Sequence, residues 1–222
     1  MFLLKPPVAA LVFSLPLIAA CQMQSDKVVV EPIWVRLSDK DLPTARWDHL
    51  PEGKTWTRHA MSQFVGDSGR TPPDTMPEDI EKWCPDYSPM RAIYLDGTAE
   101  EVSTYQTIAF WVGFLSVMAE NESSNNPRAV GGDGKRYGLL QISPATATEN
   151  QCAVTTGEAL KDPVANISCA VRIMTKAVLR DDVVAAGGRG VAADWAVLRS
   201  PRKRAAMQKW LSSQSYCQEE TY

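Results

Sequence analysis

The chain has 222 residues, of which 45% are hydrophobic and 22% are charged, and its formal net charge is −3. This composition is typical of a globular protein with a sizeable core and excludes a disordered chain. The slight acidity argues against nucleic acid as a partner, because phosphate binding requires a basic surface.

The first 20 residues form a predicted signal peptide. Their apolar stretch Pro6–Ala20 is too short to span a bilayer and suits the core of an export signal. Small residues before Cys21 resemble a bacterial lipoprotein cleavage site, which predicts that Cys21 is lipidated and anchors the chain in a membrane. Gln22 after that cysteine indicates the periplasmic side of the outer membrane. The alternative is an ordinary secretory signal in which Cys21 is incidental.

The other four cysteines form an even set, which suits the oxidising periplasm. Cys84, Cys152, Cys169 and Cys217 allow three pairings. We favour Cys152–Cys169, which encloses a predicted loop, together with Cys84–Cys217. A zinc site is the alternative, but no CxxC spacing or nearby histidine supports one, and we predict no metal.

The mature chain is predicted to be mainly α-helical. Residues 21–51 contain scattered prolines and are interpreted as a membrane tether that can pack in part through Trp34 and Trp47. Almost no segment alternates with a period of two, so we expect at most a small β element, near residues 137–142. Helical spacing and end signals predict helices at about 54–64, 79–83, 100–121, 144–150, 166–180 and 201–211.

One pair of segments has the residue types of a catalytic site. Glu122 lies where the apolar helix 100–121 ends, and a Gly-rich loop then leads to Tyr137-Gly-Leu-Leu-Gln-Ile142. Apolar neighbours raise the pKa of a half-buried carboxyl group, and the negative end of the helix dipole acts in the same direction. Such a group can donate a proton near neutral pH.

These segments resemble the soluble lytic transglycosylase (SLT) domain of the lysozyme-like superfamily. The family combines Glu-Ser at a helix end with Gly-Leu-(Met/Leu)-Gln-(Ile/Met), Pro-x-Thr-Ala and a later Asp-Pro…Asn-Ile. The matching residues here are Glu122-Ser123, Gly138–Ile142, Pro144–Ala147, Asp162-Pro163 and Asn166-Ile167. The resemblance implies a lysozyme-like domain over residues 52–217, which is cross-linked by disulfides and followed by a tail at 218–222.

The resemblance implies that Glu122 is the single catalytic acid/base. Glu120 lies about 200° around the helix and cannot share its face. Ser123 and Gln141 would orient Glu122 or bind sugar, Tyr137 would form a cleft wall, and Gly138 would allow a close backbone approach to glycan or helix.

The match has one departure near its C-terminal end. Where the family has a tyrosine, the best counterpart is Asp194, before Trp195. Asp194 could raise the pKa of Glu122 or act as a second catalytic group, or simply cap a helix. Asp133 in the Gly-rich loop is another acid that we expect near the cleft, unless it is an ordinary turn residue.

The family's reaction requires no cofactor. It cleaves the MurNAc-β-1,4-GlcNAc bond of peptidoglycan and leaves a 1,6-anhydro-MurNAc end. Two alternatives remain open. One is a hydrolytic muramidase that uses Glu122 with Asp194 or Asp133, and the other is a non-catalytic lipoprotein that binds peptidoglycan. The oligomeric state is not predicted.

Overall fold

The computed structural model describes residues 37–64, 71–88, 91–95, 98–102, 105–132 and 134–218, all within the unit Pro32–Tyr222. The predicted signal peptide, Cys21, Trp34 and Asp133 lie outside these ranges. The described helices are α1 (Gly53–Phe64), α2 (Tyr105–Ser123), α3 (Pro144–Glu149), α4 (Pro163–Asp181) and α5 (Pro201–Ser212). Short 3-10 turns cover Asp39–Asp41, Pro72–Asp74, Ile80–Lys82, Ala159–Lys161, Gly190–Ala193, Ala196–Arg199 and Ser215–Cys217.

Helix α2 is the centre of the core. Every residue from Thr107 to Ala119 is buried, so the helix is surrounded by protein on all sides rather than on one face. Gly113 allows this packing, because a Cβ atom there would lie 2.1 Å from the Tyr216 hydroxyl. Helix α2 begins five residues later than the predicted start at residue 100, since residues 100–102 belong to a strand.

That strand is part of a hairpin that the sequence analysis did not predict. Strand β1 (Arg91–Leu95) pairs antiparallel with β2 (Thr98–Val102), and Leu95 pairs with Thr98. The mainly α class is confirmed, but its β content exceeds the single small element that was expected. Asp96-Gly97 between the strands is a strong hairpin-turn signal that could have identified this element.

The predicted β element is present beside the Gly138–Ile142 motif. Strands β3 (Val130–Gly131) and β4 (Arg136–Tyr137) form a short antiparallel pair. Tyr137 also forms an isolated β-bridge with Ile142. The segment between these two residues therefore turns back on itself.

Residues 37–51, which the sequence analysis assigned to the tether, pack into the domain. Leu42 and Ala45 are buried, and Trp47 is completely buried. The Trp47 indole N–H donates to Thr57 Oγ1 at 2.9 Å, and its ring meets Trp56 edge to face. The folded domain therefore extends toward the N-terminus beyond the expected boundary at residue 52, because these aromatic side chains complete the core around α1.

Both favoured disulfides are confirmed. Cys84 is bonded to Cys217 across 133 residues of sequence, and Cys152 is bonded to Cys169 across 17 residues. The first bridge joins the region after α1 to the C-terminal turn. The second joins the loop after α3 to α4, next to the segment that carries the Gly-Leu-Leu-Gln motif.

None of the helices within the described ranges is long and apolar enough to cross a membrane.

Candidate active site

A cleft of about 700 Å³ lies where the C-terminal end of α2, strand β4, the start of α3 and the segment leading into α5 meet. Three of its lining side chains are cationic and two are carboxylates. The lining residues are Asn121, Glu122, Arg136, Gln141, Ile142, Ser143, Thr146, Ile173, Asp194, Trp195, Ala196, Val197, Arg199, Ser200 and Lys203.

Glu122 lies in the last turn of α2 and is partly buried. Helix α2 ends directly after it because Ser124 and Asn125 adopt left-handed conformations, with φ of 54° and 59°. Burial raises the pKa of the Glu122 carboxyl group, while the nearby charges of Arg136 and Lys203 oppose this shift. The net direction is upward, which favours the protonated form that a general acid needs.

Glu120, two residues earlier, points away from the cleft. Its carboxylate accepts an ion-pair contact of 3.1 Å from Arg46 Nε, and the Arg46 guanidinium lies 4.8 Å from the Trp210 ring centroid. Glu120 does not line the cleft. The structure is therefore consistent with the prediction that Glu120 and Glu122 lie on different faces of the helix.

The Gly138–Ile142 motif forms a tight turn held against α4. Gly138 has φ of +78°, and a Cβ atom there would lie 2.2 Å from Leu160 O and 2.4 Å from Asn166 Nδ2. The fully buried Asn166 donates to Tyr137 O and Leu160 O, and accepts from the Leu140 N–H at 2.9 Å. Gly138 thus allows a close approach to protein, which was one of its two expected roles.

Gln141 leaves this turn with φ of 49° and lines the cleft. Its side-chain amide donates to Gly138 O at 2.9 Å and lies against Gly131, where a Cβ atom would approach Gln141 Oε1 to 2.4 Å. The side chain is therefore held on the β3–β4 side of the cleft, with no described hydrogen bond to Glu122.

Besides Gly138, two of the expected site residues, Ser123 and Tyr137, do not line the cleft. Ser123 Oγ donates to Ala119 O within α2 at 3.1 Å, so its described hydrogen bond is to its own helix. The Tyr137 ring packs on Gly157, and its hydroxyl donates to Gly134 O. The expected cleft wall at Tyr137 is not found, because its side chain lies on the outer side of the motif turn.

Asp194 is brought into the cleft with Glu122, although 72 residues separate them in sequence. It is exposed at the rim, and partial desolvation raises the pKa of its carboxyl group against the opposing charge of Arg180. The neighbouring Trp195 is buried and donates its indole N–H to Leu140 O at 2.8 Å. This hydrogen bond ties the segment carrying Asp194 to the motif turn.

The sequence analysis missed the basic residues of the cleft. Arg136 comes from β4, whereas Arg199 and Lys203 come from the segment around the start of α5. The run Arg199–Arg204 is a short basic cluster in the sequence, which is interpreted as a solvated helix start, with a contact to anionic lipid or to glycan-linked carboxylates as the alternative. Its position opposite Glu122 depends on packing between distant segments.

Comparison with known proteins gives a match to one family model and matches to three solved structures. Residues 105–187 match the family model described as Transglycosylase SLT domain. The wild-type structure of DslA has a TM-score of 0.65 and 27% sequence identity, and the match covers 79% of this chain and 98% of DslA. Two DslA mutants, each with one glutamate replaced by glutamine, have 26% identity. They give TM-scores of 0.64 and 0.66, over 80% and 82% of this chain and 99% and 100% of theirs. A comparison with curated proteins found no match. Residues 105–187 therefore resemble a transglycosylase SLT domain, and the mainly helical fold is similar to that of the DslA structures.

Proposed function

We propose that this protein is a peptidoglycan lytic transglycosylase that uses Glu122 as its single acid/base. An SLT domain indicates a glycan-cleaving role with peptidoglycan as the substrate class. The finer proposal rests on the Glu122 carboxyl group, which is partly buried and whose pKa is raised. This group lines the same described cleft as Gln141 and Asp194.

In the proposed reaction, protonated Glu122 donates its proton to the glycosidic oxygen of the MurNAc-GlcNAc bond as that bond breaks. The N-acetyl group of the MurNAc residue stabilises the anomeric carbon. The Glu122 carboxylate then removes the proton from the C6 hydroxyl of the same sugar. That oxygen attacks the anomeric carbon, which closes the 1,6-anhydro ring and restores protonated Glu122 without consuming water.

The surroundings of Glu122 suit both halves of this cycle. Desolvation favours the protonated form that begins the reaction, whereas Arg136 and Lys203 stabilise the carboxylate that acts as the base. A single group can therefore alternate between the two states. Gln141, held by Gly138 O, is positioned to hydrogen-bond a sugar on the opposite wall.

A hydrolytic muramidase is the second candidate, and the presence of Asp194 in the same cleft favours it. A second carboxylate could position water for attack on the anomeric carbon. The two reactions differ in their products, because an anhydro end is lighter by one water than a reducing end. Mass spectrometry of digested murein separates them, and predominantly reducing ends would refute the transglycosylase proposal.

The proposed role of Glu122 is tested by Glu122→Gln, with Glu120→Gln as the matched control on the same helix. Removing a general acid typically costs about 10²–10⁴-fold in rate, so we expect Glu122→Gln to lose murein cleavage while it stays folded. Glu120→Gln should cleave at nearly the wild-type rate, because Glu120 contacts Arg46 outside the cleft. Unchanged cleavage by Glu122→Gln would contradict the assignment. An unchanged cellular role without cleavage would instead favour the non-catalytic alternative.

We also propose that lipidated Cys21 anchors the protein to the outer membrane on its periplasmic side. The proposal rests on the small residues that precede Cys21 and on Gln22 after it. Replacement Cys21→Ser should move the full-length protein from the membrane fraction to the soluble periplasmic fraction. Retention in the membrane would contradict lipid anchoring at this residue.

A further inference from the structure

We infer that Arg199 and Lys203 form a carboxylate-binding subsite at the rim of the cleft, which takes the acidic stem peptides attached to the glycan. The inference rests on the proposed function, since it assumes that peptidoglycan occupies the cleft. It goes further by assigning the enzyme a preference for glycan strands that still carry their peptides.

The first observation is the local charge. The chain as a whole is acidic, with a net charge of −3, yet Arg136, Arg199 and Lys203 outnumber the two carboxylates among the cleft residues. A glycan backbone of N-acetylated sugars is uncharged when its lactyl groups are amide-linked to peptides. A positive rim therefore matches the carboxylates of the peptides rather than the sugars.

The second observation is that these cations form no direct ion pair among the described residues. Within the described ranges, none of the ion pairs involves Arg136, Arg199 or Lys203. Asp194 interacts electrostatically with Arg199, but Arg180 and Lys176 act on the same carboxylate. Its single negative charge is thus shared among several cations, which leaves net positive charge at the rim.

The third observation is that the Arg199 side chain is fixed in place by neutral groups. Its Nε donates to Ala192 O at 2.8 Å, and one terminal nitrogen donates to Ala193 O. These carbonyl acceptors orient the guanidinium without cancelling its charge, so the remaining N–H donors are available to a ligand carboxylate. Such preorganisation reduces the entropy lost on binding.

Lys203 lies in a position that costs helix stability. It occupies the first turn of α5, where Ser200 caps the helix and Arg202 and Arg204 are its neighbours. Cations near a helix N-terminus are repelled by the positive end of the dipole. A bound carboxylate would relieve this repulsion by interacting with the Lys203 ammonium and the helix end together. The turn from Ser200 to Lys203 contributes both Ser200 and Lys203 to the cleft.

The test measures binding of the full-length Glu122→Gln variant, which should not cleave, to insoluble peptidoglycan in three forms. These are intact sacculi, intact sacculi whose carboxylates have been converted to amides, and immobilised glycan strands that were stripped of peptides by an amidase and then amidated at the lactyl carboxylates that the amidase exposes. We expect the intact form to bind about 10-fold more tightly than either of the others, as one or two exposed charge-assisted contacts allow. The preference should shrink as salt is added.

Adding Arg199→Ala or Lys203→Gln to this variant should reduce that preference to about 3-fold or less. Arg202→Gln is the matched control, because Arg202 is exposed on the same turn and does not line the cleft. The ratio between substrates is independent of the folded fraction, so partial misfolding cannot imitate the effect.

An equal affinity for the three substrates, or an unchanged ratio in both variants, would overturn the subsite. Failure of the proposed function would look different. The protein with Glu122 intact would then fail to cleave any of the three forms, whatever their relative affinities.

Discussion

At the residue scale, the environment of Glu122 separates it from Glu120 on the same helix. Its partial burial raises its pKa, and two cations limit that rise. Glu120, two residues away, is instead used in an ion pair with Arg46. The chemical difference between two identical side chains therefore comes from desolvation and charge rather than from residue type.

Replacing Lys203 should move the pH dependence of the reaction. The Lys203 charge lowers the pKa of Glu122, so Lys203→Gln should raise that pKa further. The alkaline limb of the kcat/KM profile, which reports loss of the protonated acid, should move to higher pH. Arg202→Gln serves as the control with the same change in net charge. A limb that moves to lower pH, or stays in place, would contradict the assigned electrostatic contact.

Removing the Glu122 charge should also stabilise the fold at neutral pH. The folded pKa of Glu122 is raised above its ordinary value of 4.5, so the ionised carboxylate is less favourable in the folded state than in the unfolded chain. This effect is absent below the unfolded pKa and reduces stability as the pH rises through and above it. Glu122→Gln should therefore have a higher Tm than wild type at pH 7, and the difference should vanish toward pH 4. A lower Tm at pH 7 would contradict the desolvation argument.

At the scale of elements, the cleft depends on how the motif turn is attached to α4. Asn166 uses both ends of its side-chain amide to hold Tyr137 O, Leu160 O and the Leu140 N–H. Trp195 adds a hydrogen bond to Leu140 O from the opposite side. The hydrogen bonds of its backbone therefore hold the Gly-Leu-Leu-Gln segment in place. Of the Gly138–Ile142 motif, only Gln141 and Ile142 line the cleft.

A pair of glycine substitutions tests this attachment. Gly138 and Gly134 have nearly the same φ, +78° and +79°. An added Cβ atom would meet other atoms at Gly138 but none within 4 Å at Gly134. Gly134→Ala should cost about 1 kcal/mol for its backbone conformation alone. Gly138→Ala should cost at least about 3 kcal/mol in urea unfolding, because its Cβ would also meet Leu160 O and Asn166. Equal losses would show that the close approach is unimportant.

Sequence patterns predicted the helices well where the signal comes from residues close together along the chain. The helices predicted at 144–150 and 166–180 are present as α3, which Ser143 caps, and as α4. The start of α2 was placed too early because residues 100–102 pair with β1, and such pairing depends on a second segment.

At the scale of the whole molecule, the Cys84–Cys217 disulfide encloses nearly all of the described core. Its loop of 133 residues includes α2, the motif turn and α4. The Tyr216 side chain next to Cys217 packs against Gly113 in the middle of α2, and its hydroxyl donates to Thr44 O. The C-terminal turn thus closes the domain around its central helix and also contacts the N-terminal segment.

The two disulfides should contribute unequally to stability. In the chain-entropy model, a loop of 133 residues contributes about 5 kcal/mol and one of 17 residues about 3 kcal/mol. Replacing both cysteines of the Cys84–Cys217 pair by serine should therefore lower the free energy of unfolding more than the same change at Cys152–Cys169. Denaturant unfolding of the two double variants measures the difference, and the opposite order would contradict the entropic account.

The sequence by itself determined the helical class, the pairing of a glutamate-bearing helix end with a Gly-Leu-Leu-Gln turn, and an even set of cysteines. These features are local, since periodicity, caps and motif spacing depend on neighbours along the chain. Tertiary structure alone decided that Arg136, Arg199 and Lys203 line the cleft with Glu122, that Tyr137 and Ser123 do not line it, and that Trp47 is completely buried. The physical reason is that desolvation and charge at a site are set by segments distant in sequence, which meet only when the core packs.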